Sequence, residues 1–233
     1  ISLKDFDMGE LLRLRAADGH EFGAYRAAPA GAPIGGIVVL QEIFGVNSHI
    51  RGVCDAFAAQ GYVAIAPALF DRFVRDFESG YSPDEIAVAL GYLKSLDWDA
   101  LMLDAQAAIG RVREETEAVS LVGFCLGGSL AFLAATQVEG LDAAVCYYGG
   151  MIAKFADAKP LCPVMMHYGE TDSSIPLSNV ETVRAKCPEA EIHLYPAGHG
   201  FNRGAPGTAD AAQAAIAWER TLRFLADARA GRT

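Results

Sequence analysis

From Ala118 to Val138 the chain carries no charged residue, yet Gly123, Gly127 and Gly128 interrupt the run and Glu117 and Glu139 flank it. The stretch is long enough to span a bilayer, but internal glycines and acidic rather than cationic flanks do not suit a membrane helix. A buried strand (Val119 to Val122), a tight glycine turn and a buried helix (Leu126 to Gln137) account for it better. Such a unit belongs to a mostly parallel sheet covered by helices on both faces.

The rest of the chain keeps that rhythm. Leu11 to Ala16 alternates apolar with polar, Asp18-Gly19 is a turn dipeptide and Glu21 to Arg26 returns, which predicts an antiparallel hairpin at the start. Beyond the loose Ala27–Gly36 connection, strands are expected at Ile37 to Leu40, Tyr62 to Ala66, Ala143 to Tyr148, Val164 to Tyr168 and Glu191 to Tyr195. Helices are expected from Asn47 or Ser48 to Gln60, from Pro83 behind a Ser82 cap, over Asp99 to Glu115, Ser178 to Lys186 and Asp210 to Ala226. No repeat or linker divides the chain, so 1–233 reads as a single α/β domain, normal in length for an open sheet.

Composition removes several classes of function. Lys and Arg number 19 against 29 Asp and Glu, and a net charge of −10 opposes nucleic-acid backbones and anionic membranes. Five cysteines, an odd number without a CxxC pair, read as reduced thiols rather than a disulfide framework or zinc site. The opening residues Ile1 to Asp5 show no basic-then-apolar signal pattern, so the expectation is a soluble, cytoplasmic protein. Phosphate-loop, dinucleotide and HExxH motifs are missing from the sequence.

The turn at Gly123-Phe124-Cys125-Leu126-Gly127 has the Gly-x-nucleophile-x-Gly form of a nucleophile elbow, with cysteine at its centre. Glycines are needed because bulky neighbours would collide with adjacent elements. The following helix also brings the positive end of its dipole to Cys125, which favours a thiolate. A buried cysteine in a glycine-rich turn looks the same over five residues, so its partners must decide. Asp172, beyond the Val164–Tyr168 strand, and His199, beyond the Glu191–Tyr195 strand, follow in the order acid then base, both past carboxyl ends of strands. Glu170 is a second candidate acid. His167 and His193 fall within strands, His20 in the hairpin and His49 at a helix start, all weaker positions for a base. Cys162 and His167 are spaced like metal ligands but lack a second pair.

With these residues in hand, the chain resembles the dienelactone hydrolase (carboxymethylenebutenolidase) family of the α/β-hydrolase superfamily. The likeness runs from about Gly19 to Leu225 and rests on Gln41-Glu42-Ile43-Phe44-Gly45-Val46-Asn47, Gly123 to Gly128, Tyr147-Tyr148-Gly149 and Gly198-His199-Gly200-Phe201. It implies hydrolysis of a small, carboxylate-bearing lactone or enol ester through a cysteinyl thioester, with no metal or organic cofactor. It further implies that Glu42 lies beside the nucleophile and helps control its protonation. Main-chain amides of Ile43 and Leu126 would form the oxyanion hole. Arg203 matches one of the arginines that hold the substrate carboxylate, and Phe44, in the Gln41–Asn47 motif, is a further expected substrate-binding residue. The family's second arginine has no counterpart in Ile86 to Leu90, which leaves Arg72 or Arg75 to replace it. The rival readings are a general carboxylesterase of the same family and a catalytically silent binding module. A monomer or small homo-oligomer acting on a small-molecule ester or lactone is the expected state.

Overall fold

The computed structural model describes residues 9–204 and 209–231. It forms two compact units, Ile1–Val119 and Ser120–Thr233. No change in composition marks that division, which is why the sequence reads as one domain.

The first unit opens with the hairpin β1 (Glu10–Arg15) and β2 (Glu21–Ala27), paired antiparallel with Leu14 opposite Phe22. Gly19 takes φ +89° in the turn, and the amide of Ala16 donates to the His20 carbonyl at 2.9 Å. Next come β3 (Gly35–Leu40) and β4 (Tyr62–Pro67), buried along their whole length, which accounts for their unbroken apolar sequence. The strand order is β1-β2-β4-β3; β4 runs antiparallel to β2 and parallel to β3. Helix α1 (Ser48–Ala59) makes the β3–β4 crossover, capped by Asn47, whose side chain accepts the Ile50 amide. Helix α2 (Pro83–Tyr92) starts in a capping box between Ser82 and Glu85, and α3 (Trp98–Arg113) is capped by Asp97.

The second unit is a parallel βαβ series: β5 (Val119–Phe124), α4 (Leu126–Ala135), β6 (Ala143–Tyr147), α5 (Ile152–Phe155), β7 (Val164–Gly169), α6 (Leu177–Lys186), β8 (Glu191–Tyr195) and α7 (Ala209–Ala230). Its strands pair in the order β5-β6-β7-β8. Helix α4 is buried on nearly all sides, as its charge-free sequence requires. Among the described residues no helix is long and apolar enough to cross a membrane. The chain therefore has the expected α/β architecture, mostly parallel strands entered through an antiparallel hairpin.

Several expected strand ends shift by a residue or two, and the shift at Tyr148 bears on the site. Tyr148 leaves β6 with φ +39°, rare for a bulky residue, because Gly149 turns the chain so closely under α4 that a β-carbon there would sit 2.9 Å from the Ser129 amide nitrogen. Short 3₁₀ turns at Leu69–Arg72, Leu93–Ser95 and Phe201–Arg203 lack a sequence signature.

Candidate active site

Strand β5 ends at Phe124 and α4 begins at Leu126, leaving Cys125 alone to make the turn. Its backbone sits at φ +53°, ψ −110°, outside the regions a side chain favours, at a cost of about 1–3 kcal/mol. Hydrogen bonds hold it there: the Cys125 amide donates to the Tyr147 carbonyl at 2.9 Å, and the Cys125 carbonyl accepts from the Ser129 amide at 3.1 Å. Glycine is compulsory beside it. A β-carbon on Gly123 would run into the Gly127 carbonyl, and one on Gly128 would lie 2.5 Å from the Tyr147 carbonyl oxygen. The thiol is half-buried, whereas Cys54, Cys146 and Cys187 are fully buried.

The loop after β8 delivers His199, whose Nε2 lies 3.2 Å from the Cys125 sulfur. The loop after β7 delivers Asp172, whose Oδ2 lies 2.7 Å from His199 Nδ1. Oδ1 of the same carboxylate accepts the amides of Ser174 at 2.8 Å and Ile175 at 3.1 Å, which fixes its plane. Asp172 is buried and Glu170 exposed, so of the two candidate acids only Asp172 meets the imidazole. The loops approach closely enough for the Glu170 amide to donate to the Tyr195 carbonyl and that of Thr171 to the Ala197 carbonyl. Gly169 permits this, since a β-carbon there would strike the Ala197 carbonyl.

Burial by itself would lower the proton affinity of His199. Its hydrogen bonds to Asp172 and Cys125, with the charges behind them, overcome that and raise its pKa to about 10. Chemically, the row is a thiol, an imidazole that holds a proton strongly, and a carboxylate that orients the ring.

A residue missed in the sequence lies against this row. The Tyr148 ring centroid is 5.1 Å from that of His199, on the strained backbone described above. Its only sequence signal is membership of Tyr147-Tyr148-Gly149.

The other candidates are placed as follows. Leu126 is the first residue of α4, so its amide is one of those the helix leaves unpaired. Glu42, Ile43 and Phe44 follow β3 in the first unit, all buried. That loop is anchored by Gln41, which donates to the Glu42 carbonyl and accepts the Leu69 amide, and by Phe44, edge-on to Tyr81 at 4.8 Å. Arg203 sits on the turn right after His199, half-buried, with its guanidinium folded back over Gly200; a β-carbon at 200 would strike it.

Arg72 is placed differently from the expectation. Its Nε and Nη2 grip the fully buried Asp104 at 2.8 and 2.6 Å, and its Nη1 pairs with Asp18 at 2.8 Å. Each of its three guanidinium nitrogens thus serves an ion-pair cluster that keeps a cation beside the buried Asp104. Arg75 donates to the Glu21 carbonyl. His167 and His193 are bonded within the sheet and its cover, His20 stacks on Phe22, and no described group of three or more His, Cys, Asp or Glu side chains could hold a metal.

The sequence profile of the dienelactone hydrolase family matches residues 22–229. Carboxymethylenebutenolidases of Pseudomonas putida and Pseudomonas knackmussii are each 36% identical over 93% of this chain and 96% of their own. A solved protein of Klebsiella pneumoniae subsp. pneumoniae superposes with a TM-score of 0.79 at 29% identity, covering 93% of this chain and 99% of that one.

Proposed function

The chain belongs to the dienelactone hydrolase family, and from that premise we propose that it opens a small lactone or enol ester through a thioester on Cys125. Hydrolysis of lactones or esters is the common ground of the family and its carboxymethylenebutenolidase relatives. The observation that supports the cysteinyl route is the unbroken row of contacts, 3.2 Å from sulfur to Nε2 and 2.7 Å from Nδ1 to Oδ2.

In this reading the proton of Cys125 already rests on His199, whose affinity for it is raised, and the sulfur attacks the substrate carbonyl carbon. The negative oxygen that forms is received by the Leu126 amide, the first of α4. Removing such a donor costs about 100- to 1000-fold in rate. The tetrahedral species collapses, the carbon–oxygen bond breaks, and the departing oxygen takes the proton from His199. In a lactone that oxygen stays tethered to the acyl group. Water then gives its proton to His199, adds to the thioester carbonyl and releases the carboxylic acid, and the proton stays on His199 as in the resting site. Asp172 keeps Nδ1–H directed at itself, so Nε2 always faces the sulfur. No step draws on a metal or organic cofactor.

The family resemblance gives Arg203 as a candidate for a substrate carboxylate, while Arg72 bonds Asp104 and Asp18 and Arg75 the Glu21 carbonyl. Together with the arginine-free Ile86 to Leu90 stretch, this favours a second reading, an esterase whose acyl group needs no carboxylate. A panel of dienelactones and simple aryl esters separates the two by kcat/KM.

The chemical route is tested by acid-quenching the enzyme during turnover of an activated ester and weighing its peptides. Acyl mass on the Cys125 peptide is expected. Cys162 is the control, half-exposed but with burial pushing its thiol pKa up to about 11. Undiminished hydrolysis by Cys125→Ala would overturn the proposal and leave a site working by other groups.

A further inference from the structure

Four buried polar side chains in the second unit meet in one connected row. Tyr147 ends β6, His167 lies in β7, Tyr195 ends β8 and Thr221 comes from α7. All four are essentially inaccessible to solvent. The Tyr147 hydroxyl is 2.7 Å from Thr221 Oγ1, Thr221 Oγ1 is 3.1 Å from His167 Nε2, and His167 Nδ1 is 2.8 Å from the Tyr195 hydroxyl. Burial, with His193 and Arg220 nearby, keeps the His167 ring neutral, so it offers one N–H and one lone pair to its two hydroxyl partners. His193, itself bonded to Glu191, stacks on His167 at 5.7 Å, and the Arg220 guanidinium lies over the Tyr195 ring at 5.3 Å.

A buried polar chain of this kind is costly unless satisfied, and a hydrophobic set would pack the same space. What distinguishes it is the backbone of its members. The Tyr147 carbonyl receives the amide of Cys125, the His167 carbonyl receives that of Tyr148, and the Tyr195 carbonyl receives those of Glu170 and Ala197. Each strand residue therefore holds the network with its side chain and, with its carbonyl, a segment carrying or touching the nucleophile, the acid or the base.

We propose that Thr221 is a positioning residue for the site: its hydroxyl, bridging Tyr147 and His167, locks the ends of β6 and β7, and through His167 that of β8, into the register that keeps Cys125, His199 and Asp172 in line. It touches none of the three. The inference rests on the thiol reading above and concerns the geometry that reading needs.

Thr221→Val keeps the shape and removes the hydroxyl; Thr221→Ser restores it. In the folded Val variant kcat is expected to fall about 10- to 100-fold with little change in KM, as for a misplacement of about 1 Å. The His199 ring titration, followed by NMR, should move down from about 10 as its contacts loosen. Thr221→Ser should recover both. Should Thr221→Val not fold, Tyr195→Phe removes the outer hydroxyl and is expected to shift the same two readouts in the same direction. Unchanged kcat and titration in the folded variant, or a Ser variant as impaired as Val, overturns the inference. Persistence of hydrolysis in Cys125→Ala would instead overturn the nucleophile assignment, while the His199 titration still reports on Thr221.

Discussion

Exchanging Asp172 for asparagine isolates one atom of the site. Oδ1 accepts two backbone amides, from Ser174 and Ile175, and Oδ2 faces His199. An asparagine must keep its oxygen toward those two amides, which places its NH2 group against His199 Nδ1. That group donates, so Nδ1 must accept and the ring proton shifts to Nε2. Nε2–H then points at the Cys125 sulfur and has no lone pair with which to take its proton. The expected loss in kcat is about 10⁴-fold, as when the tautomer is reversed in other nucleophile–His–Asp systems, or about 5 kcal/mol of barrier.

Stability separates this effect from unfolding. Asp172→Asn keeps the two loop hydrogen bonds and should cost about 1 kcal/mol, whereas Asp172→Ala forfeits three accepted bonds and should cost about 2–4 kcal/mol. Steady-state turnover of an aryl ester, urea melts and an NMR titration of His199 give the comparison. With the carboxylate gone, one of the two groups that raise His199 is lost, so its ionisation should fall from about 10. A kcat within tenfold of wild type in the Asn variant, or a His199 titration that stays put, would refute the orienting role.

Other outcomes follow from the same structure. The raised proton affinity of His199 stabilises the fold fully below its ordinary pKa of 6.5, and this contribution is lost as pH rises through about 10; melting temperature should decline across that window, and less so in Asp172→Asn. Gly123→Ala should cost about 3 kcal/mol or more or abolish folding, because its β-carbon meets main chain of Gly127 and Gly128; a near-native thermal melt contradicts this. Arg72→Met strips the cation from fully buried Asp104 and should destabilise by about 3–5 kcal/mol. Burial already outweighs Arg72 in raising the Asp104 pKa, so the deficit should shrink on acidification as the carboxyl takes up a proton. The KM of that variant for a carboxylate-bearing ester should not change, and a specific rise would return Arg72 to substrate binding.

What could be read from the chain divides by the range of the interactions involved. The turn at Cys125, the Asn47 and Ser82 caps and the Asp18-Gly19 hairpin are decided within a few residues, by which backbone angles a glycine permits and which amides a short side chain reaches. Asp172 and His199 were legible because topology repeats: residues just past carboxyl ends of neighbouring parallel strands converge whatever loops carry them. Pairing at long range has no such signature. Nothing near Arg72 announces Asp104, thirty-two residues on and buried, so the ion pair could not be read from the chain. Equally, His167 looks like any packed strand residue until Thr221, fifty-four residues away on α7, supplies its second hydrogen bond. The choice between Glu170 and Asp172 shows the boundary sharply: two residues apart and chemically alike, they differ because turning the chain at Gly169 leaves one carboxylate in water and closes the other under the imidazole. The row of side chains could thus be anticipated from residue types and order, whereas the scaffolding that holds it within a hydrogen-bond length belongs to contacts that only the folded chain creates.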